Sequence, residues 1–132
     1  MASAMHVKRI DHLVLTVADI ERSVDFYSRV LGMEKIVFGE GRIALGFGAQ
    51  KINLHQVGRE FSPRAGQAQA GSADLCLVIE ESLEQALQEL QELGVEVIEG
   101  PVPRTGATGE IVSVYLRDPD QNLIEVCNYI QD

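Results

Sequence analysis

The chain has 132 residues, 45% of them hydrophobic, which suits a single folded domain with a modest core and excludes wholesale disorder. With 20 acidic against 11 basic residues the formal net charge is −9, and no Lys/Arg cluster interrupts it. Nucleic acid and anionic membrane are therefore excluded as partners, since phosphate contacts need clustered cations.

Met1–Met5 lacks the charged and apolar regions of a secretory signal. No apolar run approaches the ~18 residues of a membrane span. Cys76 and Cys127 are too few and too distant in sequence for a disulfide framework. Both lie in apolar strand-like runs, so buried reduced thiols and a cytoplasmic location are expected.

The first element, His12–Val17, is a β-branched apolar run that reads as a strand. Asp19 is an N-cap candidate, followed by a helical stripe of Ile20, Val24, Tyr27 and Leu31, with Gly32 placed for a left-handed end. Strand-like Arg42–Phe47 then turns through Gly48–Gln50 into Lys51–His55. A Gly-, Ala- and Gln-rich stretch over about 58–72 reads as a linker. Beyond it the pattern starts again, with Asp74–Ile79 lying over His12–Val17 at an offset of 62 residues. Ser82 resembles the start of a capping box with Gln85, ahead of a stripe of Leu83, Leu87, Leu90 and Leu93, and Gly94 matches Gly32. Gly100–Gly109 reads as a Gly/Pro-rich loop. Val112–Arg117, the turn Asp118–Gln121 and Asn122–Glu125 complete the second copy at an offset of 70, in which His55 answers Glu125. The order is βαβββ, linker, βαβββ: an α+β chain with one module over about 7–57 and another over about 73–130.

Strand side chains alternate between faces. If Leu13, Leu15 and Val17 pack on a helix, His12 faces away, and the same holds for Asp74 against Leu75 and Leu77. Ile52 and Leu54 leave His55 on the far side, as Ile124 and Val126 leave Glu125. Four metal-capable side chains thus occupy matching places in two copies. Imidazoles with carboxylates suit one borderline divalent ion such as Zn, Ni, Fe or Mn. Tyr115 is expected on the same face as Glu125, either donating a hydrogen bond to a bound oxygen or packing the core edge. Ser113 shares that face. Arg104, in the Gly/Pro segment, either clamps an anionic group or stays solvated.

Ile10–Val17, Asp25–Gly32 and Arg117–Glu125 together resemble the vicinal oxygen chelate superfamily, which includes glyoxalases, extradiol dioxygenases, fosfomycin-resistance transferases and bleomycin-binding proteins. The likeness runs from Arg9 to Tyr129. Lys51–His55 and Gly100–Gly106 are similar to small glyoxalase-domain proteins associated with bacterial virulence. The resemblance implies tandem modules forming a curved mixed sheet, a small-molecule ligand and a homodimer. It also implies metal positions at His12, His55 and Glu125, with Asp74 where relatives commonly carry His. Asp74 is then a ligand, an orienting residue or a base.

Two functions follow as expectations. One is a metal-dependent enzyme, glyoxalase-like (lyase or isomerase) or dioxygenase-like, with Glu125 or Asp74 as catalytic base, Tyr115 as a further catalytic residue, and Tyr115, Ser113 and Arg104 binding substrate. The other is a non-catalytic protein sequestering an antibiotic or toxin. The near-complete ligand set and the absence of Trp favour the enzyme.

Overall fold

A computed structural model describes residues 1–130. In the first module β1 (His12–Val17) leads into α1 (Ile20–Leu31), then β2 (Glu34–Phe38), β3 (Arg42–Phe47) and β4 (Gln50–Gln56). The second contains β5 (Asp74–Val78), α2 (Leu83–Glu92), β6 (Glu99–Thr105), β7 (Glu110–Arg117) and β8 (Leu123–Tyr129). Each module is a four-stranded mixed sheet, ordered β1-β4-β3-β2 and β5-β8-β7-β6. In both, the first strand runs parallel to the last and the remaining pairs are antiparallel. The βαβββ order read twice from the sequence is the order of both modules in the fold.

Local chemistry sets the helix limits as expected. Asp19 accepts a hydrogen bond from the Arg22 amide at 3.1 Å, and Ser82 from the Gln85 amide at 3.1 Å. Gly32 caps α1 at φ 68°, and Gly94 follows α2 at φ 71°.

Gly100–Gly109 departs from the expected loop, because its first half is strand β6. Pro101 and Pro103 obscured it, yet β6 is an edge strand, where a missing amide donor is tolerated. Its register against β7 shifts between Glu99 and Val102. Gly100 sits in that irregularity at φ 106°, where a Cβ would come within 2.4 Å of the Ser113 carbonyl oxygen. Gly100→Ala is expected to cost about 2 kcal/mol or more, read as a lowered denaturation midpoint.

One apolar cluster takes in Leu15, Val17, Ile52 and Leu54 of the first sheet, Val114, Leu116, Ile124 and Val126 of the second, and residues of both helices. The helix side of each sheet therefore meets the other module, and the opposite faces point away from the junction. Polar groups lock this junction too. The fully buried Tyr27 donates from its hydroxyl to Asp118 Oδ2 at 2.6 Å. Asp118 also accepts from the amides of Asp120 and Asn122, each at 2.9 Å, and from Asn122 Nδ2 at 2.8 Å. Asn122 Oδ1 in turn holds the Ala73 amide at 2.8 Å, at the start of the second module.

Burial and the neighbouring Asp118 carboxylate push the Tyr27 phenol well above its ordinary value. The unfolded chain releases that proton near pH 10 while the folded chain keeps it. Stability is thus intact below pH 10 and is expected to fall above it by about 1.4 kcal/mol per pH unit. Comparing urea unfolding of wild type and Tyr27→Phe across pH 9–11 checks this, since the variant lacks that share of the slope.

No helix among the described residues is long and apolar enough to cross a membrane.

Candidate metal centre

His12 opens β1 on the face turned from the helices. Its side chain is half-exposed, and its Nδ1 lies 2.8 Å from Asp11 Oδ1. The hydrogen bond holds the Asp11 carboxyl below the usual carboxylate range. With Nδ1 donating, the neutral ring keeps its lone pair on Nε2, the arrangement typical of a metal-binding imidazole. Glu125 projects from the corresponding face of β8. It pairs with Tyr115 across the sheet and accepts a hydrogen bond from Ser113 Oγ at 2.5 Å. Asp74, exposed at the start of β5, shares that face. Tyr115 and Ser113 thus flank Glu125. Arg104 is farther out, donating from Nε to the Tyr115 hydroxyl at 2.9 Å and pairing with Glu99 at 3.0 Å.

The match of His55 with Glu125 does not hold in the strand register. His12 lies beside Lys51, and Val14 beside Asn53. In the second module Asp74 lies beside Leu123, and Cys76 beside Glu125. The counterpart of Glu125 is therefore Asn53, and His55 answers Cys127, one row farther along the strand. A slip of two residues preserves strand alternation, so face assignment from the sequence could not detect it. Two residues of strand move a side chain by about 6.6 Å.

The surroundings of His55 differ from those of a cation ligand. It is buried against the Phe61 ring, with Nε2 3.5 Å from Arg42 Nη2. Burial and the Arg42 charge both lower its pKa. A guanidinium at that distance repels a second cation. Asn53, by contrast, is buried with its Oδ1 lacking a hydrogen-bond partner among the described residues. Sequence reasoning missed Asn53, as well as Asp11 behind His12; the parallel β1/β4 register is the signal that finds the former.

Among the described residues no three His, Cys, Asp or Glu side chains of one chain meet as a metal-holding group. Each module instead presents a pair, His12 with Asn53 and Asp74 with Glu125, at equivalent levels on an outward face. Apolar residues stand exposed beside them, with Val14 46% and Val78 61% exposed. Cys76, expected to be buried, is exposed on the Glu125 face, with its Sγ 3.6 Å from the buried Cys127.

Comparison with known proteins agrees with this architecture. Residues 9–126 match the Glyoxalase/Bleomycin resistance protein/Dioxygenase superfamily. The chain is 56% identical over 125 residues to the glyoxalase domain-containing protein RDO1 of Mycosarcoma maydis, covering 95% of this chain and 70% of that one. Virulence protein STM3117 of Salmonella typhimurium, 52% identical, has a crystal structure that matches with a TM-score of 0.94, covering 96% of this chain and all of that one. Metallothiol transferase FosB of Staphylococcus epidermidis is 27% identical over 122 residues, covering 92% of this chain and 82% of that one. The chain belongs to the glyoxalase/bleomycin resistance protein/dioxygenase superfamily.

Proposed function

We propose that this chain is a divalent-metal-dependent enzyme of the vicinal oxygen chelate type, acting on a small oxygenated molecule in a homodimer. The reaction is glyoxalase-like or dioxygenase-like. The observation that carries the proposal is the matched register of two donor pairs on outward faces. His12 and Asn53 of one protomer supply an imidazole and an amide oxygen. Asp74 and Glu125 of a second copy supply two carboxylates. Such a set fits a borderline divalent ion: the buried Asn53 oxygen has no partner among the described residues, and the His12 ring is already oriented by Asp11. The name of the FosB relative, a metallothiol transferase, supports the same reading. A C2 pairing that joins first module to second covers the exposed Val14 and Val78.

When bound, the cation supplies Lewis-acid polarisation to neighbouring substrate oxygens. The chain's own residues do the rest. Ser113 donates to one Glu125 oxygen and fixes the carboxylate's orientation. Asp74 or Glu125 takes a proton from the substrate carbon. The Tyr115 hydroxyl accepts from Arg104, so its own proton is free to point at substrate.

Elemental analysis of protein loaded separately with Zn, Ni, Fe and Mn tests the proposal. About one ion per protomer is expected for one or more of these metals, retained in His55→Ala. Failure of every metal to bind stoichiometrically overturns it.

A further inference from the structure

Four buried side-chain polar atoms among the described residues lack a hydrogen-bond partner, and three belong to one patch: Arg42 Nε, Asn53 Oδ1 and His55 Nδ1. Buried polar groups are nearly always satisfied, so such a cluster marks a place where the partner comes from outside the chain. Asn53 and His55 are 6% and 3% exposed and sit on β4. Arg42 begins β3, beside His55 in the antiparallel register that pairs Ile43 with Leu54. All three occupy the outward face of the first sheet.

The arrangement around Arg42 is that of a fixed cation. Its guanidinium lies over Phe61 at 4.5 Å and Phe38 at 5.1 Å from the ring centroids. Lys51 Nζ stands 3.8 Å over the same Phe38 ring, giving a second cation. Arg42 forms no ion pair among the described residues, in a chain of net charge −9. Glu60, the acid that most affects His55, accepts instead from the Gly58 amide at 3.1 Å. Arg42 Nη2 lies 3.5 Å from His55 Nε2, while Nε of the same fork and the far ring nitrogen, His55 Nδ1, have no partner among the described residues. A planar two-oxygen anion matches the Nε–Nη2 edge bidentately, taking the unpartnered Nε–H and the second Nη2 hydrogen.

We propose that Arg42 and His55, roofed by Phe61, form a subsite for the carboxylate of a small organic acid. The inference deepens the proposed function and rests on it for the direction of the molecule. The acid's carboxylate sits one row, about 7 Å, beyond Asn53 and two rows beyond the level of His12, between which its other oxygens bind. The substrate is then a carboxylic acid bearing oxygens at its opposite end. His55 serves here as a recognition residue.

The test follows the Arg42 Nε–Hε and His55 ring resonances by NMR, in metal-loaded and metal-free protein. 4-Hydroxybutyrate is titrated in, with 1,4-butanediol as its uncharged counterpart. Saturable shifts with the acid but not the diol are expected in both forms. Arg42→Lys, which keeps the charge and loses the fork, is expected to weaken the His55 response at least about tenfold. Its metal content stays at the wild-type value, and Arg42→Gln loses the response entirely. Equal shifts from acid and diol, no saturable shift, or an unchanged His55 response in Arg42→Lys overturns the subsite. Because Arg42 is followed without metal as well, absence of a cation defeats the proposed function and leaves the subsite to be judged by its own shifts.

Discussion

Glu125→Ala is expected to weaken the proposed divalent metal binding by more than about 100-fold while leaving the melting transition close to wild type. Loss of a group that merely supports a ligand typically costs 10- to 100-fold in affinity, and loss of the ligand itself costs more. Glu125 is only half-buried, and its hydrogen-bond partner is Ser113. Its removal leaves one hydroxyl unpaired without opening the apolar core on the opposite face. Ser113→Ala is expected in the 10- to 100-fold range, because the carboxylate remains and only its orientation is released. Competition with a chromophoric chelator measures both. Equal affinities in wild type and Glu125→Ala would remove Glu125 from the centre.

The largest expected effect on stability belongs to Asp118→Ala. The carboxylate is 2% exposed and accepts from the Tyr27 hydroxyl, the Asn122 amide side chain and two backbone amides. Removing it leaves those donors buried without an acceptor, at about 1–3 kcal/mol for each that water fails to reach. A total of about 4 kcal/mol is expected, or roughly a 10–15 °C drop in melting temperature for a chain of this size. Asp118→Asn keeps one acceptor oxygen and should recover part of the loss. Because Tyr27 lies on α1 and Asp118 between β7 and β8, the lesion loosens the contact between modules. A calorimetric transition that stays within 3 °C of wild type would show that water replaces the carboxylate at little cost.

Much of this architecture was legible in the chain because the fold is written twice. Asp19 and Ser82, the two leucine-rich stripes, and the alternation in His12–Val17 and Asp74–Val78 report local preferences, and local preferences agree with tertiary structure here. Strand β6 was hidden by Pro101 and Pro103, whose edge position depends on strand order. The site was legible as a set of faces and not as a register. Alternation put His12, His55, Asp74 and Glu125 on outward faces, but a two-residue slip leaves every face unchanged. Only the pairing of β1 with β4, and of β5 with β8, makes Asn53 the counterpart of Glu125. The neighbours of His55 were equally out of reach. Arg42 arrives across a hairpin, and Phe61 from the segment after β4 that folds back over the sheet. Asp118 reads as a turn residue in the sequence and Asn122 as the start of the strand-like run that follows; their second task, holding Tyr27 and Ala73, needs the packed modules.

The central claim is that donors from the two modules meet across two copies of the chain. It is tested by co-refolding equal amounts of His12→Ala and Glu125→Ala and measuring bound metal after loading. Each variant alone is expected to bind almost none. In the mixture, half the dimers are heterodimers carrying one intact site of two, so about a quarter of the wild-type metal should return. No recovery in a mixture shown to contain heterodimers would contradict a centre shared between protomers.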